Sequence, residues 1–234
     1  MIGGLHSPRA RPEVPTPTRD SEIRHTGLTP ATRRTDMGRM SAQTDIPRDP
    51  FFFGYGSLVN TATHIYERHH PARLTGWRRV WRHTPLRNLA FLTAEPCEGT
   101  YIDGVIAAVP FADWAALDLR EAGYDRVTLL DGIDHRAEDA GDIAVYTIPI
   151  DKHGPADGLS PILLSYLDVC VQGYLTVFGE EGGHHFFEST AGWDGPILND
   201  RALPRYPRAQ LLSKEQTAFV DRHVADLGVE VVTE

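Results

Sequence analysis

The stretch Phe51–Leu58 constrains the fold of this chain more than any other, because an apolar triplet runs straight into a turn that contains two glycines. Three consecutive aromatic residues cannot all face water cheaply, so Phe51 to Phe53 predict a buried strand. Gly54 and Gly56 let the backbone turn sharply and approach another group closely. Such a turn presents backbone N–H groups, which can hold an anion or a developing oxyanion. The alternative is a glycine turn with no function beyond reversing the chain.

Common glycine motifs do not describe this turn. No Gly-Lys-Ser/Thr sequence follows it, which excludes a phosphate-binding P-loop, and the third glycine of a dinucleotide-binding fingerprint is missing. Ser57 is not in a nucleophile elbow either, because that motif would need glycine at the positions of Tyr55 and Val59. The turn therefore predicts backbone donors without a reactive group of its own.

Charge and composition exclude several classes of function. The net charge of −9 over 234 residues argues against a general nucleic-acid binder. No apolar run is long enough to span a membrane, and the polar N-terminal region lacks the apolar segment of a signal peptide. Cys97 and Cys170 form no CxxC pair, so we expect two reduced thiols, no zinc site and a cytoplasmic protein. The pairs His69-His70 and His184-His185 lack the spacing of metal ligands. Nothing in the sequence indicates an oligomeric state, so we expect a monomer by default.

The domain organisation follows from composition and hydrophobic periodicity. Residues 1–49 are rich in Pro, Arg, Thr and Ser and predict a disordered tail, and 50–234 predict one mixed α/β (α+β) domain. Strands are expected at 72–84, 88–94, 101–109, 126–130 and 143–150, with a turn at 95–99 and a polar loop at 151–158. Helices are expected at 60–67, at 113–122, from Ser160-Pro161 through the stripe that ends near Phe178, and from a capping box at Ser213 to Gly228. Residues 195–208 contain three prolines and are expected to be irregular.

Glu121 is the candidate catalytic group. On the predicted helix it shares a face with Trp114 and Leu117, so a carboxylate lies in line with apolar side chains. The negative end of the helix dipole and partial burial both raise the pKa of that carboxylate, toward the range of a general base near neutral pH. Pairing with Arg120 or Arg126 would oppose this, and a salt-bridged surface glutamate is an equally good interpretation of the helix alone.

The order of these motifs resembles a known family. The γ-glutamylcyclotransferase superfamily carries a signature similar to the turn Phe53-Gly54-Tyr55-Gly56-Ser57-Leu58. Its catalytic glutamate lies in a segment similar to Leu117-Asp118-Leu119-Arg120-Glu121-Ala122-Gly123-Tyr124. The later helix of its ChaC-like branch resembles Ser165-Tyr166-Leu167-Asp168 with Gly173-Tyr174 and Phe178-Gly179. The likeness spans about residues 51–193.

The resemblance implies a small mixed β-barrel with flanking helices and no metal or organic cofactor. It implies an enzyme that cyclises a small γ-glutamyl substrate to 5-oxoproline and releases the attached amine. Glu121 would be the base, the backbone of Tyr55, Gly56, Ser57 and Leu58 would bind the substrate, and Tyr124 would line the pocket or serve as a core aromatic. Glutathione-specific members usually have a bulky aromatic soon after the turn, where this chain has Val59-Asn60, so the leaving half of the substrate stays open. A non-catalytic binding module and a hydrolase that releases glutamate are the alternatives.

Overall fold

The computed structural model describes residues 48–84, 87–149 and 160–233. The predicted tail, apart from its last two residues, and the predicted polar loop at 151–158 lie outside the described residues. The strands are β1 (Phe51–Gly54), β2 (His69–Thr84), β3 (Arg87–Ala108), β4 (Asp125–Leu129), β5 (Ile133–His135), β6 (Ile143–Thr147), β7 (Ile162–Leu163), β8 (Thr190–Ala191), β9 (Ile197–Asn199) and β10 (Val231–Thr233). The α-helices are α1 (Ala115–Arg120), α2 (Leu164–Ser189) and α3 (Lys214–Leu227).

The predicted buried strand lies in the middle of the larger sheet. Strand order is β4-β6-β1-β3-β2-β5, with β8 beside β2. Strand β1 pairs antiparallel with β3 and parallel with β6, and the side chains of Phe51, Phe52 and Phe53 are 0%, 0% and 1% exposed. This mixed sheet forms a half-barrel with flanking helices, which confirms the α+β class expected from the sequence. A smaller parallel sheet has the order β10-β9-β7.

Helix α2 fills the larger sheet's core and reaches the turn that follows β1. Its fully buried stripe includes Leu167, Cys170, Val171 and Tyr174. A Cβ atom on Gly173 would lie only 2.6 Å from the backbone nitrogen of Asn60, so glycine is needed for this close approach. The amide of Asn60 donates hydrogen bonds to the Val169 carbonyl at 3.0 Å and to the side chain of Gln172 at 2.9 Å. The turn and the helix are therefore fixed to each other.

The turn predicted at residues 95–99 is wrong, because β3 continues through it. Pairing with β2 jumps from Trp77↔Pro96 to Thr75↔Tyr101, so the intervening residues of β3 form a bulge. Gly99 has a φ of +77°, and the Thr100 hydroxyl donates to the carbonyl of Trp77. Pro96 and Gly99, which favour a turn in the sequence, thus lie in or beside a bulge of one long hairpin and do not end the strand.

Three predicted helices also differ from those observed, and one of them, expected at 113–122, is the shorter α1 at Ala115–Arg120. In place of a helix at 60–67, the chain makes short 3₁₀ turns at Ser57–Val59 and Thr61–Thr63, with the Asn60 side chain capping the second. Helix α2 begins at Leu164 and not at Ser160-Pro161, because Asp200 accepts hydrogen bonds from the backbone and hydroxyl of Ser165. That cap comes from a residue far along the chain.

The last helix matches its prediction. Ser213 and Gln216 form a reciprocal capping box at the start of α3, and Gly228 ends it in the left-handed conformation. The segment expected to be irregular contains the short strand β9 but otherwise forms turns and loops. No helix among the described residues is long and apolar enough to cross a membrane.

Candidate active site

The turn after β1 is shaped by close contacts on both glycines. A Cβ on Gly54 would lie 2.5 Å from the Leu58 Cβ, and one on Gly56 would lie 2.7 Å from the hydroxyl of Tyr166. Gly56 has φ −117° and ψ −129°, so steric space and not a left-handed backbone makes glycine necessary there. Within the described residues, nothing accepts a hydrogen bond from the backbone N–H groups of Gly56, Ser57 and Leu58. These N–H groups are available to a ligand.

Tyr174 holds this turn from behind. Its hydroxyl donates to the carbonyl of Tyr55 at 2.9 Å and lies 2.6 Å from the carbonyl of Asp103. The Tyr55 carbonyl and the Gly56 N–H belong to the same planar, trans peptide group and point in opposite directions, so a hydrogen bond that holds the carbonyl also orients the N–H. The Tyr55 hydroxyl in turn donates to the Tyr146 carbonyl at 2.6 Å. The donor turn is therefore aligned by hydrogen bonds on two sides.

A fully buried arginine supports Tyr174. Arg79 is 0% exposed, and its guanidinium lies over the rings of Tyr174 and Phe186, 4.9 and 4.8 Å from their centroids. It donates to the Tyr174 hydroxyl at 2.5 Å, to Ser189 at 2.6 Å and to Thr190 at 3.0 Å. Neutral acceptors in and just after α2 thus satisfy this cation, and the same hydrogen bonds hold in place the tyrosine that supports the turn.

Glu121 terminates α1 beside the turn. It is the C-cap residue, and its side chain is 15% exposed. Burial raises the pKa of the Glu121 carboxyl, whereas the neighbouring charges of Arg120 and Arg208 lower it, and burial has the larger effect. The predicted direction of the pKa shift is therefore found, with burial as its cause.

Arg120 connects the acid to the turn. Its Nε lies 3.0 Å from a carboxylate oxygen of Glu121, and its side chain is 7% exposed. The other nitrogens donate to the Thr63 carbonyl and to the hydroxyls of Ser57 and Thr63 at 2.9 to 3.2 Å. Arg126, the other arginine considered from sequence, ion-pairs with Asp118 and stacks on Trp114. The ion-pair alternative is thus realised by Arg120, but inside the site and not on the surface.

Two adjoining cavities bring the predicted residues together. The inner cavity, of about 20 Å³, is lined by Phe53, Gly54, Tyr55, Gly56, Ser57, Leu58, Leu92, Glu121, Tyr124, Tyr146 and Tyr166. The outer cavity, of about 140 Å³, is lined by Ser57, Leu89, Ala90, Phe91, Leu92, Arg120, Glu121, Tyr124, Leu163, Tyr166, Tyr206 and Arg208. Ser57, Glu121 and Tyr124 border both cavities. All six predicted site residues therefore lie at one place, and their roles stay predictions.

Several residues of the site were not predicted as such. Tyr166, named from sequence as part of the segment that resembles the later helix of the family, lines both cavities. Tyr206 and Arg208 come from the proline-containing segment, and the Tyr206 hydroxyl donates to the Ser57 hydroxyl at 2.9 Å. No local pattern in that segment points to the cavity, since its proximity arises only from tertiary folding.

Metal chemistry has no ligand cluster in the described part of the chain. Among those residues, no group of three or more His, Cys, Asp or Glu side chains could hold a metal ion. His184 and His223 lie 2.8 Å apart between their ring nitrogens, but they form only a pair on the surface.

Comparison with known proteins gives structural similarities alone. No protein-family model and no curated protein matches the chain. A solved structure named gamma-glutamyl cyclotransferase is 14% identical, with 74% of this chain and 99% of that one covered and a TM-score of 0.46. YkqA from Bacillus subtilis is 18% identical, with 62% and 56% covered and a TM-score of 0.44. A gamma glutamyl cyclotransferase specific to glutathione from yeast is 16% identical, with 77% and 97% covered and a TM-score of 0.39.

Two of these structures are named as gamma-glutamyl cyclotransferases. Because these three structures are less than 25% identical to the chain and have TM-scores below 0.5, the function is inferred from the residues of the cavities.

Proposed function

We propose that this protein cyclises a γ-glutamyl group to 5-oxoproline and releases the attached amine. The observation that carries the proposal is the shared inner cavity, where Glu121 faces the glycine turn whose N–H groups at Gly56, Ser57 and Leu58 have no acceptor among the described residues. A base opposite a set of oxyanion donors is the arrangement that intramolecular aminolysis requires.

The reaction needs little from the protein beyond a proton acceptor and a shaped cavity. The substrate's α-ammonium loses a proton to Glu121, and the freed amine attacks the γ-carbonyl carbon of the same molecule. A tetrahedral oxyanion forms, and the N–H groups of the turn stabilise it. Collapse breaks the bond to the leaving nitrogen, which takes a proton from the Glu121 carboxylic acid. The regenerated carboxylate then accepts the second proton of the ring nitrogen and passes it to the released amine, which leaves as an ammonium ion. The nucleophile is part of the substrate, so the cavity acts mainly by folding the γ-glutamyl chain into its cyclising shape.

Ser57 is less suited to a nucleophilic role. Its hydroxyl oxygen accepts hydrogen bonds from Tyr206 and from Arg120, and both of these partners are donors. A nucleophilic serine needs instead a base that accepts its proton. Glu121, in contrast, is suited to accept a proton from the substrate, because its carboxylate is buried, its pKa is raised and it borders both cavities.

Product analysis tests the proposal. The protein is incubated with a panel of glutathione, γ-glutamyl amino acids and γ-glutamyl amines, and 5-oxoproline and the released amine are quantified. We expect the two products in equal amounts and no reaction when the α-amine of the substrate is acetylated. Free glutamate as the product would identify a hydrolase, and ligand-induced thermal stabilisation without any product would identify a binding module. Either result would overturn the proposal.

A further inference from the structure

The outer cavity contains two guanidinium groups that differ in how they are used. That of Arg120 is engaged, since hydrogen bonds or an ion pair connect its nitrogens to Ser57, Thr63 and Glu121. Arg208 lines the same cavity and is partly buried, yet its guanidinium forms no hydrogen bond or ion pair with any residue in the described part of the chain. Its charge acts on the site by lowering the pKa of Glu121.

Other arginines of the chain show what Arg208 lacks. Arg73 is paired with Asp103, and Arg78 and Arg82 share Glu95. Arg201 contacts two carboxylates, Asp168 at 2.7 Å and Asp221 at 2.5 Å. The sequence has 32 acidic residues against 23 lysines and arginines, so acids are in excess. A guanidinium that lines a cavity without a direct ion pair is therefore a candidate for binding an acid from outside the chain.

We propose that Arg208 binds a carboxylate of the substrate, an inference that rests on the proposed function. The guanidinium fork matches a carboxylate with two parallel hydrogen bonds, and a partly dry cavity strengthens them. The inner cavity, at about 20 Å³, is much smaller than the outer cavity, at about 140 Å³, and Arg208 lines only the outer one. We therefore place the carboxylate that Arg208 binds in the outer cavity.

The carboxylate has two possible sources within one substrate. Every γ-glutamyl compound carries an α-carboxylate on the half that becomes 5-oxoproline. A γ-glutamyl amino acid or peptide carries another on the leaving half, whereas a γ-glutamyl amine does not. The pair γ-glutamyl-alanine and γ-glutamyl-ethylamine differs only in that second carboxylate, and so distinguishes the sources.

Steady-state kinetics on this pair test the role of Arg208. We expect Arg208→Gln to raise KM for γ-glutamyl-alanine by about 10- to 100-fold, the effect of one charged hydrogen-bonding pair, with kcat changed much less. Arg208→Lys should recover part of the loss, and Arg205→Gln, in the same segment but outside the lining of both cavities, should have no effect. A KM rise for both substrates assigns the α-carboxylate, and a rise for γ-glutamyl-alanine alone assigns the leaving half. An unchanged KM for both substrates would overturn the proposal.

Direct binding separates this proposal from the proposed reaction. The same two compounds are titrated calorimetrically into Glu121→Gln and into the double variant Glu121→Gln/Arg208→Gln. We expect about 10- to 100-fold weaker binding in the double variant for at least γ-glutamyl-alanine. Equal dissociation constants would refute the role of Arg208 even if 5-oxoproline is formed. Arg208-dependent binding with no 5-oxoproline from the wild type would refute the reaction alone.

Discussion

The turn that supplies the donors and the helix that supplies the acid differ in how much of the fold holds them. Tyr55–Leu58 follows the central strand β1, every residue of the turn is buried, and Tyr174 fixes it from behind. Glu121 ends the six-residue helix α1, which lies outside the sheet and contributes only Leu117 to the buried residues. Leu119, two residues before Glu121, is 80% exposed.

This difference indicates a division of labour between the two sides. In the proposed reaction the N–H groups of the turn must point in fixed directions at a charge that develops only in the transition state, so rigid placement helps them. In the same proposed reaction the carboxyl group of Glu121 exchanges protons with the substrate and the leaving group, and the short helix that carries it has only Leu117 to anchor it in the core. Changes on the donor side should therefore act through geometry, and changes on the acid side through chemistry.

The largest effect is expected from Glu121→Gln. Glutamine keeps the size and the hydrogen-bonding reach of the side chain but cannot accept the proton, so turnover should fall by about 10²–10⁴-fold or more. Activity is measured as 5-oxoproline formation at saturating substrate, and folding by circular dichroism. Substantial remaining turnover, or a variant that fails to fold, would contradict the assignment of the base.

The pH dependence gives a second readout of the same group. Because burial raises the pKa of Glu121, kcat/KM of the wild type should fall as the pH drops through that raised value, where the base becomes protonated. For stability the sign is opposite: a raised folded-state pKa favours the protonated form, so that stabilisation is lost as pH rises through it. Glu121→Gln should then unfold at the same or a higher temperature than the wild type at neutral pH, with the difference vanishing in acid.

Gly56→Ala probes the donor side through shape alone. The new Cβ would meet the Tyr166 hydroxyl at 2.7 Å and Leu92 at 3.3 Å, so the turn must shift. Displaced donors should lower kcat by about 10²-fold, the effect of losing one oxyanion donor. The double variant Gly56→Ala/Tyr166→Phe removes the clashing hydroxyl, and its kcat is compared with that of Tyr166→Phe alone. If Gly56→Ala lowers kcat as much in the Tyr166→Phe background as it does in the wild type, the clash with the Tyr166 hydroxyl is not the cause of the loss.

Tyr174→Phe tests the alignment from behind. Losing the hydroxyl frees the Tyr55 carbonyl, and we expect kcat to fall by about tenfold while KM stays within about twofold, because donors remain but are less well directed. Arg79 and the Asp103 carbonyl also lose a hydrogen-bond partner, so the free energy of unfolding should drop by about 1–3 kcal/mol. Tyr101→Phe, on the exposed surface, serves as the control. A stability loss with unchanged kcat would make Tyr174 purely structural.

Ser57→Ala should have the smallest effect, below about tenfold in kcat, because the work assigned to this residue is done by its backbone N–H. The hydroxyl only holds Arg120 and Tyr206. If this variant were as inactive as Glu121→Gln in the same assay, a nucleophilic serine mechanism would replace the one proposed.

Local signals in the sequence identified the parts of the fold that depend on few residues. Each of three features is determined by residues within about eight positions of one another: the aromatic triplet of β1, the glycine turn and the capping box of α3. Glu121 drew attention because a carboxylate in line with Leu117 conflicts with the helix pattern, but that pattern left a surface ion pair equally possible, and only the family resemblance gave it a predicted catalytic role. Its neighbour Arg120 was considered only as an opposing charge, and its bonds to Thr63 depend on a fold that places the two segments together.

Long-range contacts explain what sequence patterns missed. The bulge in β3 needs the partner strand β2 to stabilise it, and the start of α2 needs the distant cap at Asp200. Tyr206 and Arg208 reach the cavity from a segment whose prolines predict only irregular structure. In each case the deciding partner lies tens of residues away, beyond the reach of periodicity or capping rules.

The position of β1 has a consequence for how this protein folds. Phe51 pairs with Ala108 on one side and with Ile143 on the other, so the strand that delivers the donor turn gains both partners only after long loops close. Non-local pairing of this kind is slow to form. During refolding from denaturant, recovery of the proposed 5-oxoproline synthesis should therefore coincide with the slowest recovery of sheet structure and never precede it, so that this activity would report complete folding.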